Sequence, residues 1–110
     1  MIVVADTSPL NYLVLIGEIE MLPALYEKVL IPQEVHTELL QPGAPPAVRQ
    51  WAAALPVWAD VRTASTKYDP ELSELDPGER EAIQLALATG VHTVLMDEAE
   101  GRREAVRRRL

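Results

Sequence analysis

Six carboxylates stand at positions where acids can do chemistry. Asp6 directly follows the apolar run Ile2-Val3-Val4-Ala5, and Asp97 directly follows Val91 to Met96. Glu34 and Glu38 lie one helical turn apart, and Glu79 and Glu81 open a second amphipathic stretch. Two strand-end aspartates, Asp6 and Asp97, and two inward helix glutamates, Glu38 and Glu79, are therefore expected to converge on one cavity. Uncompensated, four such groups repel one another and raise one another's pKa. Oxygen-only donors in this number suit Mg²⁺ or Mn²⁺ rather than zinc or copper. A metal so held activates water and stabilises the charge building on a phosphate, so the chemistry is metal-assisted phosphoester hydrolysis. Thr7, Ser8 and Asn11, beside the first aspartate, are candidates to orient a water or ligand. The bland readings are an N-cap for each aspartate, a dipole complement for Glu79 and solvated surface for Glu34 and Glu38.

The elements that would position these groups alternate along the chain. Ile2 to Ala5 is a short run rich in β-branched residues without helical period, the pattern of a strand buried on both faces in a parallel sheet. Leu10, Leu13 and Val14 follow at helical spacing after Pro9, up to Gly17. Ile19 to Glu27 is a second helical stretch that Pro23 starts anew or kinks. Lys28 to Ile31 is the next strand, Pro32 to about Gln41 a helix closed by a proline cluster, and Ala47 to Leu55 a short helix. Val57 to Val61 suits an edge strand, Thr63 to Asp76 a loop, Pro77 to Gly90 a helix with the stripe Ala82, Ile83, Ala86 and Leu87. Val91 to Met96 is a last strand, followed by a basic helix. The sum is a three-layer α/β/α sandwich with a mainly parallel sheet.

Direction separates the glutamates. Glu38 is three residues from Val35 and lies at the margin of that helix's apolar stripe, whereas Glu34 lies further round. Glu34 and Glu38 are like charges at i,i+4, a mild repulsion that a bound cation relieves. Glu79 is four residues before Ile83, hence inward, and is preferred over Glu81, which points elsewhere but stays an alternative. Trp51 and Trp58 read as core or rim packing.

The 110 residues suit one domain with one core. Cysteine is absent and His36 and His92 are the only imidazoles, which excludes disulfides and makes a zinc site improbable. No stretch is long enough for a membrane span and no basic leader opens the chain, so a cytoplasmic location is expected. The net charge of −7 argues against a generally nucleic-acid-coating surface. Five of the ten basic residues, Arg102, Arg103, Arg107, Arg108 and Arg109, fall in the last nine positions, so an acidic body carries a basic end. An acidic body can still act on a phosphodiester if a cation supplies the positive charge at the contact.

Val-Ala-Asp-Thr-Ser-Pro-Leu, Ile-Pro-Gln-Glu-Val-His-Thr-Glu-Leu-Leu, Leu-Asp-Pro-Gly-Glu-Arg-Glu-Ala-Ile and Leu-Met-Asp-Glu with Gly-Arg-Arg after it occur in this order along nearly the whole chain. Together they resemble a PIN-domain protein, of the branch related to the toxins of VapBC-type toxin–antitoxin modules. The resemblance implies a Mg²⁺- or Mn²⁺-dependent endoribonuclease with Asp6, Glu38, Glu79 and Asp97 as its acidic site, a homodimer and a small antitoxin partner. Two departures stand out: the third acid of toxin-type members is commonly Asp, where this chain offers Glu79 or Glu81, and such members continue past the basic helix with another strand and helix. Residues 1–110 are thus expected to form a single PIN-like domain lacking that last strand and helix, with an exposed sheet edge that favours pairing with a second copy.

Three functional classes follow. The first is a ribonuclease in which Arg102 or Arg103 contacts a substrate phosphate. The second is a PIN-like interaction module without turnover. The third, phosphotransfer through an aspartyl nucleophile at Asp6, is weakened because Ser8 stands where such enzymes carry a second aspartate and no strong lysine candidate follows.

Overall fold

The structure, a computed structural model, describes residues 1–63 and 77–96. Four strands among these residues form one sheet in the order β3-β2-β1-β4, parallel at every pairing. They are β1 (Ile2–Ala5), β2 (Lys28–Pro32), β3 (Ala59–Arg62) and β4 (Val94–Leu95). Among the described residues five helices connect and cover them: α1 (Thr7–Leu15), α2 (Met21–Leu25), α3 (Gln33–Leu39), α4 (Pro46–Ala53) and α5 (Pro77–Thr89).

Strand pleat and crossover handedness decide the layers. Alternate residues of the central strands face opposite ways, and both faces are apolar. Val3, Ala5, Val29 and Ile31 pack with Leu10, Leu13, Leu22, Val35, Leu39, Val48 and Ala52 from α1 to α4. Val4 and Leu30 pack with Ala82, Leu85 and Ala86 of α5. Right-handed connections running β1 to β2 to β3 place their helices on one face, and the return past both to β4 places α5 on the other. The result is the α/β/α sandwich that the alternation of elements predicts. Each fully buried Val, Leu or Ile of these layers contributes about 1.5–3 kcal/mol of transfer free energy.

Several boundaries differ from the sequence expectation, each for a local reason. Pro32 ends β2 and caps α3 with extended geometry (φ −58°, ψ 146°), so the helix begins at Gln33. Pro23 is the third residue of α2, inside the first turn where no backbone donor is needed, so that helix is short rather than kinked. The last strand is confined to Val94–Leu95, because Val91 is used to close α5: its N–H reaches Ala86 O at 3.1 Å around Gly90 at φ +75°. α1 ends the same way, with Glu18 N–H on Leu13 O and Gly17 at φ +75°. On α5 the buried stripe is Ala82, Ile83, Leu85 and Ala86, whereas Leu87 is 46% exposed.

The edge strand β3 is guarded by charge, with Asp60 pairing Arg62 at 2.8 Å and Lys28 at 4.0 Å. Trp51 and Trp58 meet at a centroid separation of 6.0 Å against the α1–α4 core. His36 serves the same layer, its Nε2 lying 2.9 Å from Ala52 O and tying α3 to α4. Among the described residues no helix is long and apolar enough to cross a membrane.

Candidate functional site

The strand order reverses direction at β1, which has β2 on one side and β4 on the other. In open parallel sheets such a switch point leaves a crevice at the carboxyl ends of the strands. Asp6 stands there as the first residue after β1, with its N–H bonded to Leu95 O of β4 at 2.9 Å. It is also the N-cap of α1, its Oδ1 accepting from Thr7 N–H at 2.7 Å. Capping explains why an acid is tolerated here, next to a helix N-terminus that favours negative charge. It does not explain why the side chain is packed away, with Asp6 only 3% exposed.

The neighbours supply that explanation. Thr7 Oγ1 donates to Glu38 Oε2 at 2.7 Å, a charge-assisted bond between the start of α1 and the last turn of α3. Gly78, in the first turn of α5, completes the group from the opposite layer. A Cβ at position 78 would meet Asp6 Oδ1 at 3.0 Å, Glu38 Oε1 at 3.3 Å and Thr7 Oγ1 at 3.3 Å. Three oxygens from two elements thus surround a single point on a third. Glu79, the next residue, is 5% exposed in the same helix turn. Its direction agrees with the spacing to Ile83, which is fully buried.

The other two glutamates part company with this group. Glu81 is half-buried and lies against Glu34. Burial, and then the Glu34 charge, push the Glu81 carboxyl above its ordinary value, while a hydrogen bond from the Glu34 backbone N–H and the Arg80 charge act the other way. Ser8 and Asn11 are half-buried in the first and second turns of α1. Asp97, Glu98, Arg102 and Arg103 lie outside the described residues, as does most of the expected Thr63 to Asp76 loop.

Of the four carboxylates expected around one cavity, Asp97 lies outside the described residues, and the geometry bears on Asp6, Glu38 and Glu79. Among the described residues no three His, Cys, Asp or Glu side chains are grouped closely enough to hold a metal ion. One cavity, of about 450 Å³, is an apolar groove lined by Pro9, Tyr12, Leu22, Leu25, Leu95 and Met96 among others, with no carboxylate among its described lining residues. Apolar side chains of α1 and α2 open that groove beside β4, whereas the acids gather above the strand end against α3 and α5.

The donors that do meet fit a small hard cation. Mg²⁺ is typically held through one or two carboxylates while retaining several waters, so the pair Asp6 and Glu38 with the Thr7 hydroxyl is sufficient oxygen chemistry. Sequence reasoning missed Gly78. Its signal was a glycine within the first turn of a strong helix, where the backbone needs none, directly before a buried acid.

A parallel α/β sandwich with carboxylates at its switch point defines a class of proteins whose site is built from strand-end and helix-borne acids. A family model described as PIN domain matches residues 2–110, and the chain belongs to the PIN-domain family. That membership points to nuclease-type activity in general. No curated protein and no solved structure matches the chain significantly.

Proposed function

We propose that this chain is a Mg²⁺- or Mn²⁺-dependent endoribonuclease, the toxin of a type II toxin–antitoxin module of the VapC kind. The observation that carries the reading is the meeting of Asp6 Oδ1, Glu38 Oε1 and Thr7 Oγ1 around Gly78 at the carboxyl end of β1. Asp6 and Glu38 hold the cation, with Glu79 and Asp97 completing the acidic set. Thr7 fixes the Glu38 carboxylate through its hydroxyl. Ser8 and Asn11 orient water on the α1 side, and Arg102 and Arg103 contact substrate phosphates. The bound cation supplies activation of water and neutralisation of charge on the phosphodiester. RNA is the substrate, a small antitoxin and a second copy of the chain are the partners, and the setting is cytoplasmic.

Asp6→Asn tests the reading most directly. Asn caps a helix as well as Asp, so the fold should survive. Mg²⁺-dependent cleavage of single-stranded RNA should be abolished, and undiminished cleavage would reject the assignment.

A second reading, a PIN-like interaction module without turnover, draws support from the lack of a three-acid group among the described residues. Calorimetry with Mn²⁺ separates the two, because no binding at millimolar metal favours the second. The aspartyl-nucleophile reading gains nothing from the geometry, since Asp6 Oδ1 is occupied by Thr7 N–H and turned toward α5.

A further inference from the structure

Three glycines differ in what holds them. Gly17 and Gly90 have φ +75° and open space around the position of a Cβ, so their backbone alone demands glycine. Gly78 is the reverse. It sits in the first turn of α5 without a left-handed backbone, in a conformation that alanine adopts more readily. It is buried, and what crowds a side chain is three oxygens within 3.3 Å of the place a methyl would occupy. Distances of 3.0 Å and 3.3 Å are closer than carbon and oxygen ordinarily pack, so the oxygens around an added methyl must give way by a few tenths of an ångström.

The geometry points to Gly78 as a positioning residue of the acid pair: the bare Cα of α5 leaves the space in which Asp6 and Glu38 approach one another across two layers of the fold. Asp6 is fixed from one side by Thr7 N–H and Glu38 by Thr7 Oγ1, and both carboxylates are bounded from the other side by position 78. The distance between the acids is therefore set by the absence of a side chain on a helix that contributes neither of them. This rests on the metal-dependent reading for its consequence and on packing alone for its cause.

The two are tested separately with the whole chain. In calorimetry with Mn²⁺ alone, Gly78→Ala should weaken binding at least about tenfold, the size expected when ligand-orienting contacts are lost. Gly43→Ala, where a Cβ meets nothing within 4 Å, should leave binding unchanged. Metal-free thermal melts then form a cycle. Gly78→Ala should lower Tm in the unaltered protein and lower it markedly less in an Asp6→Ala background, where the closest oxygen is gone and alanine's better helix propensity offsets the two contacts at 3.3 Å that remain. If Gly78→Ala alone does not fold, recovery of a cooperative melt in the double variant is the same result. Equal Tm changes in both backgrounds would overturn the inference, as would Mn²⁺ binding within twofold of the unaltered protein. Failure of the unaltered protein to bind Mn²⁺ would instead remove the metal reading, and the melting cycle would still decide what position 78 does.

Discussion

Helices α3 and α5 each carry two glutamates, and the fold sorts them into unlike pairs. Glu38 turns to the end of β1, where Thr7 donates to it and the Asp6 carboxylate shares its boundary at Gly78, and Glu79 is buried in the same turn of α5 as Gly78. Glu34 and Glu81 meet each other instead, half-buried, with one backbone N–H and the Arg80 charge as partial relief. Composition does not distinguish the pairs, since all four are glutamates on packed helices. The difference lies in what surrounds each carboxylate: hydroxyl and backbone donors with a strand-end aspartate on one side, a second carboxylate on the other. Repulsion tolerated in the first place is worth keeping only if something binds there, whereas in the second it is diluted by solvent.

The comparison breaks most visibly if the two glutamates of α3 are neutralised in turn. Glu38→Gln keeps an oxygen that accepts from Thr7 but loses the charge, so Mn²⁺ affinity and RNA cleavage should each fall about 100-fold, the scale of losing a metal-binding carboxylate. Glu34→Gln should change either by no more than about twofold, as befits an acid held outside the group. Equal losses in both variants would show that the sorting has no functional meaning.

A smaller effect is expected at the hydroxyl that separates the pairs. Thr7→Val preserves shape and removes the donor to Glu38 Oε2, leaving that carboxylate without its 2.7 Å partner. Mn²⁺ affinity should fall about tenfold, as for other groups that orient a ligand rather than bind the metal. Thr7→Ser should recover most of the loss because it restores the hydroxyl. A Thr7→Ser variant as weak as Thr7→Val would place the effect in packing rather than in the hydrogen bond.

Much of this is legible in the amino-acid sequence. The continuous apolar runs of β1 and β2 identify strands covered on both faces, and the inward direction of Glu79 follows from its spacing to Ile83. Glu38 and Glu34 separate by their offsets from Val35. What escaped were properties of approach between elements. That a glycine on α5 sets the boundary of two acids depends on how closely α3 and α5 cross, and periodicity along one helix says nothing about that distance. The shortness of β4 arises because the chain spends Val91 closing α5 before it reaches the sheet, although Val91 to Met96 reads as one apolar run. Leu87 continues the helical spacing of the core residues, yet the buried side of α5 runs through Ala82, Ile83, Leu85 and Ala86 and leaves Leu87 46% exposed.

The smallest effect belongs to the pair that meets without a donor-rich setting. Folding raises the Glu81 carboxyl above its ordinary value of 4.5, chiefly by burial and then by the Glu34 charge. The folded chain therefore binds more protons than the unfolded one as pH climbs from about that value, and stability declines through this window. Below it Glu81 is protonated in both states and the penalty vanishes. Glu81→Gln removes the charge, so at pH 7 the variant should melt at the same temperature or about 2 °C higher, matching a like-charge cost of roughly 0.5 kcal/mol screened by solvent. The gain should shrink as pH is lowered toward 4.5, which melts of both proteins over a pH series would read directly. Mn²⁺ affinity should be unmoved, and a tenfold loss in Glu81→Gln would mean that the acid opposite Glu38 is Glu81 rather than Glu79.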